Sequence, residues 1–506
     1  MSEIQNEKKP NIFERLFKLR ERKASIKTEI IGGLITFIAM CYILPVNSSI
    51  LSAMGMNQMG IFAMTAIVSC IVTLIMALVA NYPLVLSAGM GLNAYIAYTI
   101  ADAQNFTWQQ AMILLTIAGL IFFVFSLTPV RKLIIEAIPK KIQFIISAAL
   151  GAFICFVGLR NSGIITGGVT LVELNTFANP SVLVALITTF ICLGLMFCKK
   201  KIISSLAIPI CIVLAAIIGC VVSSIMIANG SLYYDPNLVS PDSTEVVGWL
   251  MNVKGEWLPN SLPIVPWNPN SGVQWGITGA DEVLFFGLLK DSYSASQFGS
   301  DILTILTNPT SYLAIFSLCF VNLFDTTATL LTVGHSTGII DENGKIQNYR
   351  KAVLADATGA AICGPLGTST VTSFAESNVG IEMGAKTGLS AAVAALMFLA
   401  SAFIYPIFSI FTAGCVTAPA LICVGALIFV NNLKELNFKE DPIIGFVAFV
   451  TIIFSILTYS ISSGIGLGLL AYCVIMLIAG KAKEVKLPIY IISALFVVSF
   501  ILTAVM

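Results

Sequence analysis

One apolar run of the chain is interrupted by Gly364-Pro365-Leu366-Gly367-Thr368-Ser369-Thr370-Val371-Thr372-Ser373, and an earlier run by Ser87-Ala88-Gly89-Met90-Gly91-Leu92-Asn93. Glycine, proline and hydroxyl residues so close together predict a broken helix in each run. Backbone that leaves the helix at membrane depth is tolerated where it lines a cavity or is buried in protein, and it offers unpaired N–H donors. The two breaks therefore predict a binding site. The alternative is that the glycines only let helices pack closely.

The composition places the chain in a lipid bilayer. Of its 506 residues, 57% are hydrophobic and 10% are charged, and the mean hydropathy is +0.94. A net charge of +1 gives no indication of a nucleic-acid partner. The twelve cysteines lie in apolar segments without a Cys/His cluster, so neither a disulfide framework nor a metal site is predicted and no cofactor is expected.

About fourteen apolar spans can be drawn along the chain, since a hydrocarbon core about 30 Å thick needs roughly 20 residues for each helical crossing. They lie at 28–52, 58–80, 83–104, 107–128, 139–160, 180–198 and 202–228, and again at 309–334, 350–366, 367–384, 387–411, 413–432, 442–461 and 463–480. A further apolar run, 487–505, would make a fifteenth span or lie along the membrane. The breaks quoted above fall in spans 3 and 10.

Basic residues set the predicted orientation. Residues 1–27 form a basic tail that is too long and too charged for a cleaved signal peptide, and we expect it to be cytoplasmic. With the tail inside, lysine-bearing connections such as 199–201 and 481–483 also fall inside, as the positive-inside rule requires. Segment 229–308 holds two lysines against eight acids and is expected to be an extracellular loop. The chain is therefore expected in a plasma membrane with a cytoplasmic N-terminus.

An internal repeat relates the two halves with an offset of about 260 to 280 residues. Asn179-Pro180 before span 6 resembles Asp441-Pro442 before span 13, and the glycines at Gly151 and Gly425 also correspond. Because seven is odd, two such halves have opposite orientations in the membrane. The predicted fold class is an all-α polytopic membrane protein with about 14 transmembrane segments arranged as a 7+7 inverted repeat.

Two carboxylates stand out among those inside predicted spans, where an ionisable group costs about 2.5 to 3.5 kcal/mol and is a functional candidate by default. Asp325 lies deep in span 8 and Glu376 follows the break in span 10. The alternative for each is that the carboxylate caps a neighbouring helix. Asp356 is interpreted as structural, and His335 as a solvated residue at the boundary of span 8.

The polar groups near the breaks favour a neutral, planar ligand. They are carboxylates, the amide of Asn93, hydroxyls such as Thr326, Thr372 and Ser373, and backbone N–H groups, with no Arg or Lys. A sulfate, phosphate or dicarboxylate site would be expected to supply cations, whereas a heterocycle with both donors and acceptors suits this mixture. Three aromatic residues could cover its faces or simply pack in the membrane. These residues are Phe374, Tyr95 and Phe324.

Several motifs resemble those of the AzgA-type guanine/hypoxanthine/adenine permeases, within the nucleobase cation symporters that share the uracil-permease fold. The motifs are Gly89-Met90-Gly91-Leu92-Asn93-Ala94-Tyr95, Leu323-Phe324-Asp325-Thr326-Thr327, Leu354-Ala355-Asp356-Ala357, Leu366-Gly367-Thr368-Ser369-Thr370 with Glu376-Ser377, and Thr417-Ala418-Pro419-Ala420-Leu421. The resemblance implies that Asn93, Asp325 and Glu376 contact the base. We expect the substrate site to include Thr326, Ser373 and Phe374 as well.

The resemblance also implies a division into core and gate domains, with short extended segments in spans 3 and 10. The expected boundaries are 1–27 for the tail, 28–128 and 309–411 for the two halves of the core, 129–228 and 412–506 for the two halves of the gate, and 229–308 for the outer loop.

The predicted function is import of a purine nucleobase by proton symport with alternating access, with Asp325 and Glu376 as the proton-coupling residues. Sodium coupling remains an alternative, and so does an anion transporter or channel of the same fold. An enzyme or receptor that uses the outer loop is not favoured, because that loop has no histidine, cysteine or nucleophile motif. The expected partners are the purine, the proton and the lipid bilayer. A homodimer is compatible with the sequence, which does not itself indicate an oligomeric state.

Overall fold

The structure is a computed structural model that describes most of the chain. The described residues are 12–128, 138–167, 172–175, 177, 179–229, 232–235, 249–252, 257–258, 276–287, 293–337, 347–374, 376–458 and 460–505. The side chains of Phe324, Asp325 and His335, for which the sequence made predictions, lie outside the described set, as does most of the predicted outer loop.

Helices dominate the first half of the chain. In chain order they are α1 (Ile12–Leu16), α2 (Ile26–Met40), α3 (Ile43–Ser52), α4 (Gln58–Ile75, followed by a π-helical turn, Met76–Ala80), α5 (Met90–Ala94, followed by a π-helical segment, Tyr95–Ala103), α6 (Trp108–Leu127), α7 (Lys140–Asn161), α8 (Pro180–Met196), α9 (Lys201–Ser205) and α10 (Ala207–Ala228).

The second half follows a similar plan. Its helices are α11 (Ala280–Val283), α12 (Ala295–Thr307), α13 (Pro309–Thr337), α14 (Tyr349–Ile362), α15 (Ser377–Glu382), α16 (Gly388–Ser401), α17 (Tyr405–Ser409), α18 (Gly414–Lys434), α19 (Pro442–Leu457), α20 (Ile461–Ile478) and α21 (Leu487–Val505). The strands of the whole chain are β1 (Leu86–Ala88), β2 (Ile165–Thr166), β3 (Glu173–Leu174), β4 (Leu232–Asp235), β5 (Trp249–Asn252), β6 (Trp257–Leu258) and β7 (Val371–Ser373).

Local sequence signals explain where several helices begin. The side chain of Asn179 accepts a hydrogen bond from the backbone of Ser181, and that of Asp441 accepts one from Ile444. Each of these residues precedes a proline, which has no N–H to leave unpaired in the first turn. The Asn-Pro and Asp-Pro pairs noted in the sequence therefore start α8 and α19.

The breaks predicted in spans 3 and 10 are present, and the two broken spans meet. β1 and β7 pair antiparallel although almost three hundred residues separate them. The register places Leu86 opposite Ser373, Ser87 opposite Thr372 and Ala88 opposite Val371. A short helix follows each strand, α5 after β1 and α15 shortly after β7.

Helix packing is reciprocal between the two halves. In the first half α2 and α4 pack against α16 of the second half, and in the second half α13 and α14 pack against α6 of the first. Likewise α7 packs against α19 while α18 packs against α8. At the crossing of α7 and α18 two glycines touch, because a Cβ on Gly151 would lie 2.6 Å from the carbonyl oxygen of Gly425, and one on Gly425 would lie 2.6 Å from that of Gly151.

Six helical segments of the described part are long and apolar enough to cross a membrane, or seven if a bent pair forms one span. The six are Ile26–Ser52, Gln58–Ala80, Trp108–Leu127, Lys140–Asn161, Ala207–Met226 and Gly414–Lys434, and the bent pair joins α12 to α13 at 81°. Shorter apolar helices such as Pro180–Met196 and Pro442–Leu457 accompany them. The fold is therefore that of a helical, multi-pass membrane protein, and the count of fourteen spans stays a prediction.

Two segments beyond the predicted spans pack against the helices. Within segment 229–308, Val283 of α11 is buried against Gly60 and Gly367. A Cβ on Gly367 would lie 2.6 Å from the carbonyl oxygen of Val283. At the other end of the chain, the ring of Phe496 in α21 meets Phe316 of α13 edge-on at 5.3 Å. The apolar run 487–505 thus forms a helix that packs against both α13 and α20.

Candidate functional site

The strand pair fixes the backbone on both sides of the breaks. The N–H of Gly89 donates to the carbonyl of Thr370 (2.9 Å), and the N–H of Phe374 donates to the carbonyl of Val85 (3.1 Å). Thr372 packs closely on Gly89, since a Cβ there would lie 3.0 Å from the Thr372 hydroxyl oxygen. The starts of α5 and α15 are thereby held side by side in the interior of the protein.

A cavity of about 570 Å³ opens beside the strand pair. On the strand side it is lined by Gly89, Met90, Gly91, Thr372, Ser373, Phe374, Glu376 and Val379, together with Val321 and Thr329 of α13. On the opposite side it is lined by residues of α7, α8, α9, α10 and α18, among them Ser147, Leu150, Ile208, Ile428 and Asn432. The cavity therefore lies between the broken helices and a separate group of helices.

Glu376 is the carboxylate that reaches this cavity from the side of the strand pair. It immediately precedes α15, and its Oε1 accepts a hydrogen bond from the hydroxyl of Tyr42 (2.9 Å). Tyr42 lies between α2 and α3 and is 2% exposed. The tyrosine therefore orients the carboxylate, and a ligand in the cavity can reach the same group.

Behind the cavity wall, another carboxylate accepts hydrogen bonds from two of the predicted site residues. Asp356 of α14 is fully buried and accepts hydrogen bonds from the hydroxyls of Thr326 (2.6 Å) and Ser373 (3.3 Å). Ser373 also lines the cavity, whereas Thr326 does not. Asp356 thus ties α13 to β7, a role in agreement with the structural interpretation of this residue.

Asn93 lies in α5, behind the cavity lining. Its side chain is fully buried, and neither its amide oxygen nor its amide nitrogen has a hydrogen-bond partner among the described residues. A buried amide without partners is costly, so the position calls for a polar group that the described part of the chain does not supply. Asn93 therefore remains a predicted ligand of the site.

The backbone of Asp325 lies in the middle of α13. Val321 precedes it by one helical turn and Thr329 follows it by one turn, and both of these residues line the cavity. The backbone therefore places position 325 on the same face of α13 as the two lining residues. Of the aromatic residues named from the sequence, Phe374 lines the cavity, whereas Tyr95 is fully buried and outside the lining.

The described cavity lining holds two carboxylates, hydroxyls and amides, and no Arg, Lys or His. The lining includes Asn432 and Glu435 at the C-terminal end of α18, and Ser204 and Ser205 at the end of α9. These residues neighbour the lysines of α18 and of segment 199–201 in sequence. The cavity thus extends towards the lysine-rich ends of α8, α10 and α18.

Comparison with known proteins identifies the family. A sequence model described as the Permease family matches residues 27–458. The chain belongs to this permease family. The permease is 35% identical to the guanine/hypoxanthine permease PbuO of Bacillus subtilis, over 96% of this chain and 100% of that protein. It is 28% identical to the adenine permease AdeP of Escherichia coli, over 97% of this chain and 96% of that protein.

A solved structure shows the same fold. The transmembrane domain of a cyanobacterial bicarbonate transporter, BicA, superposes on the permease with a TM-score of 0.53 at 17% identity, covering 85% of this chain and 96% of that one. The permease therefore has a helical membrane-transporter fold. Family and relatives together make it a transporter of the membrane, in agreement with the sequence, and not an enzyme.

At the cavity wall, α5 packs tightly against α7. A Cβ on Gly91 of α5 would lie 2.3 Å from Cδ1 of Leu150 in α7. Nearby, the hydroxyl of Tyr98 donates to Oδ1 of Asn161, at the end of α7 (2.7 Å). The segment that follows β1 is thus in direct contact with α7, along the cavity wall at Gly91 and at the end of α7 at Asn161.

Sequence reasoning assigned no role in the site to Tyr42 or to the residues of α7 and α18 that face the cavity. Hydropathy gives the same signal for an apolar residue that faces lipid and for one that faces a cavity, as for Leu150 and Ile154. A signal for Tyr42 did exist, because a hydroxyl-bearing aromatic residue inside an apolar span requires a hydrogen-bond partner.

Proposed function

We propose that the permease is a secondary active transporter that imports a purine nucleobase by proton symport with alternating access. The observation that carries the proposal is the cavity beside the strand pair, which presents carboxylates, hydroxyls and half-helix ends and, in its described lining, no cation. The relatives named as guanine/hypoxanthine and adenine permeases support the purine class. A neutral base needs hydrogen-bond partners on its edge and apolar cover on its faces, and this lining offers both.

The alternative function is an anion transporter or channel of the same fold. BicA is a bicarbonate transporter, but its likeness to this chain concerns the fold alone. The described lining contains Glu376 and no positively charged side chain, so an anion would meet repulsion without a compensating cation. We therefore favour the base over the anion.

We further propose that the fold is a 7+7 inverted repeat of fourteen spans. The reciprocal packing of helices between the halves supports this, as does the central antiparallel pair of β1 and β7. A two-fold axis in the membrane plane relates equivalent elements in such a repeat and places the substrate between them. In this arrangement 28–128 and 309–411 form the core, 129–228 and 412–506 form the gate, and 229–308 is an outer loop.

In the proposed site, Glu376, Ser373 and Phe374 contact the base directly from the cavity wall. Asp325 reaches the same space from α13, supported by the lining positions one turn on either side. Asn93 completes the site from α5, because its buried amide has no partner among the described residues. Thr326 acts through Asp356, which also holds Ser373.

The proposed proton binds to the pair Asp325 and Glu376. Burial disfavours an ionised carboxyl, and two carboxylates without a nearby cation repel each other, so the empty site retains one proton. If the groups interact strongly they titrate as a unit. A base that binds the protonated site more tightly must also increase proton affinity, and this reciprocity couples the two fluxes.

We propose that the lysine-rich end of the helices faces the cytoplasm of a plasma membrane, as does the N-terminus. The positive-inside rule supports this orientation. The cavity extends to that end, and the contacts of Gly91 and Tyr98 with α7 close the opposite one. The described conformation would then be the inward-facing state of the cycle.

Proteoliposomes without sodium test the proposal. An imposed inward proton gradient should drive accumulation of labelled hypoxanthine, and an uncoupler should collapse it. Accumulation that needs sodium and ignores the proton gradient would replace the proton by sodium, and bicarbonate or chloride flux without base uptake would favour the anion alternative. Competition by adenine, guanine, xanthine and uracil defines which base is carried.

A further inference from the structure

The segment that precedes α2 packs one of its sides against the rest of the protein. Phe17 is 3% exposed and Leu19 is 2% exposed, and both pack in a small apolar cluster with Ala77, Leu389 and Ala391. Ala77 belongs to the π-helical turn after α4, and the other two residues belong to the first turn of α16. The segment therefore docks where one helix ends and another begins.

Hydrogen bonds fix the orientation of this segment. The Arg22 guanidinium donates from Nη1 to the carbonyl oxygens of Asn81 and Lys386, at 2.8 Å in both cases. The Asn81 side chain in turn donates to the carbonyl of Phe17 (2.9 Å). With both ends of residues 17–22 held, α1 projects from a defined place on the surface.

The exposed face of α1 is apolar. Ile12 is 72% exposed, Phe13 47% and Leu16 55%. Exposed apolar residues also continue along the docking site, since Leu78 and Val79 follow Ala77 directly and are about half exposed. In a membrane protein such residues face lipid, so the segment that carries α1 docks next to a lipid-facing edge at the π-helical turn after α4.

The same segment is basic. Residues 12–27 contain six Arg or Lys residues and two acids. The acids form surface ion pairs, Lys18 with Glu21 at 3.2 Å and Arg20 with Glu14 at 3.4 Å. Arg15, Lys23 and Lys27 are exposed and add to a net positive charge beside the apolar face.

We infer that residues 12–27 form a docking surface for anionic phospholipid, with Ile12, Phe13 and Leu16 in the interfacial region of the bilayer and the basic residues on the headgroups. An apolar face beside a cluster of positive charge is the pattern of interfacial segments that bind anionic lipid. Continuity with the lipid-facing edge at Leu78 and Val79 favours the bilayer of the same membrane over a soluble protein as the occupant. The inference does not depend on which solute is carried.

Brominated phospholipids, which quench tryptophan on contact, test the inference in the full-length permease. Phe13→Trp is made in the complete chain and reconstituted, and the emission of the five native tryptophans is subtracted with the wild type. We expect the added emission to be blue-shifted and quenched by brominated acyl chains. Leu16→Trp should behave in the same way. The control is Glu440→Trp, at an exposed position between α18 and α19, whose emission should resist quenching.

The headgroup preference is tested in vesicles in which either the phosphatidylglycerol or the phosphatidylcholine carries the bromine, at equal amounts. We expect stronger quenching of Phe13→Trp by brominated phosphatidylglycerol, and equal quenching once Arg15→Gln and Lys23→Gln are added. Equal quenching without these changes would refute the anionic preference. Unquenched, red-shifted emission at both positions 13 and 16 would show that water or a protein covers the face, and the inference would be wrong.

Discussion

The segments that follow β1 and β7 occupy equivalent positions relative to the strand pair, but one carries a glycine where the other carries a carboxylate. Gly91 follows Ser87 by four residues and Glu376 follows Thr372 by four, and Ser87 and Thr372 are paired at the centre of the ladder. Gly91 has no side chain and lets Leu150 of α7 approach closely. Glu376 has a carboxylate and faces a cavity that separates α15 from α18. Of the two segments, the one after β1 therefore packs tightly on α7, whereas the one after β7 presents a polar group to the cavity.

The largest expected effect on transport comes from removing the charge of Glu376. Glu376→Gln keeps an oxygen to accept the Tyr42 hydroxyl, so the fold should persist, but the variant cannot exchange a proton. A hydrogen bond to a charged group contributes about 1.5 to 3 kcal/mol, so base affinity should fall by roughly 10- to 150-fold. Calorimetry with the base measures affinity, and uptake should be lost.

The matched control for this variant is Glu435→Gln. Glu435 also lines the cavity but is exposed at its end, so this variant should transport normally. Asp325→Asn should behave like Glu376→Gln if the two carboxyl groups act as a pair. Wild-type affinity in both Asp325→Asn and Glu376→Gln would remove these carboxylates from the site.

The contact between α5 and α7 is tested by giving Gly91 a side chain. Gly91→Val places bulk where a Cβ alone would lie 2.3 Å from Leu150, and overpacking of this kind costs about 1 to 3 kcal/mol. We expect uptake to fall by roughly 5- to 150-fold through impaired closure, while the protein remains folded. Leu150→Ala in the same chain should restore part of the rate, and the double-mutant cycle measures this coupling.

Gly194→Ala is the control for an added methyl group, since nothing lies within 4 Å of the Cβ position at Gly194. Its uptake should equal that of the wild type. Uptake by Gly91→Val that also equals the wild type would mean that the contact between α5 and α7 does not close the transport path.

A smaller effect is expected at the hydrogen bond between Tyr98 and Asn161. Tyr98→Phe removes this bond, and a typical bond contributes about 1 kcal/mol, equivalent to a roughly fivefold shift between closed and open states. Hydrogen exchange of the backbone amides in residues 95–103 should accelerate. Tyr312→Phe is the control, because Tyr312 is exposed and bonds only locally to the carbonyl of Leu306 (2.6 Å). Unchanged protection in Tyr98→Phe would argue against a closing role.

The smallest effect is expected outside the two compared segments, at the ion pair of Lys141 and Asp441 (2.8 Å). Burial acts to raise the pKa of Asp441, but hydrogen bonds from Lys141 and the Ile444 backbone outweigh it and hold the pKa below its usual value. A depressed carboxyl pKa stabilises the folded state above the unfolded pKa of about 3.9, and this contribution is lost as pH falls.

The thermal midpoint of the wild type should therefore not respond to Asp441 between about pH 8 and pH 5, and should lose its contribution below about pH 4. Asp441→Asn keeps a good helix cap and should cost less than about 1 kcal/mol at neutral pH. A large loss of stability at neutral pH would show that the pair holds α7 and α19 together more strongly than a surface ion pair does.

The sequence predicted the elements that depend on backbone chemistry. Glycine and proline marked the breaks near Gly89 and Gly367, and the caps at Asn179 and Asp441 marked the starts of α8 and α19. The corresponding glycines Gly151 and Gly425 touch in the structure because a helix crossing this close leaves no room for a Cβ. These signals are local, so one sequence suffices to read them.

What depends on the neighbours of a side chain could not be predicted. Neither the bond from Tyr42 to Glu376 nor the sharing of Asp356 by Thr326 and Ser373 has a local sequence signal, because each joins separate helices. Hydropathy also does not distinguish apolar residues that face the cavity from those that face lipid. The predicted roles of Asn93 and Asp325 in binding remain predictions.

The helix α21 has a consequence for how the ends of the chain can be labelled. Its 19 residues span about 28 Å as an α-helix, close to the thickness of a hydrocarbon core, and one side packs on α13 and α20. As a fifteenth crossing it would give the chain an odd number of spans and bring its two termini to opposite faces of the membrane. A fluorescent protein joined after α21 would then be translocated, whereas the same reporter before α1 would stay inside.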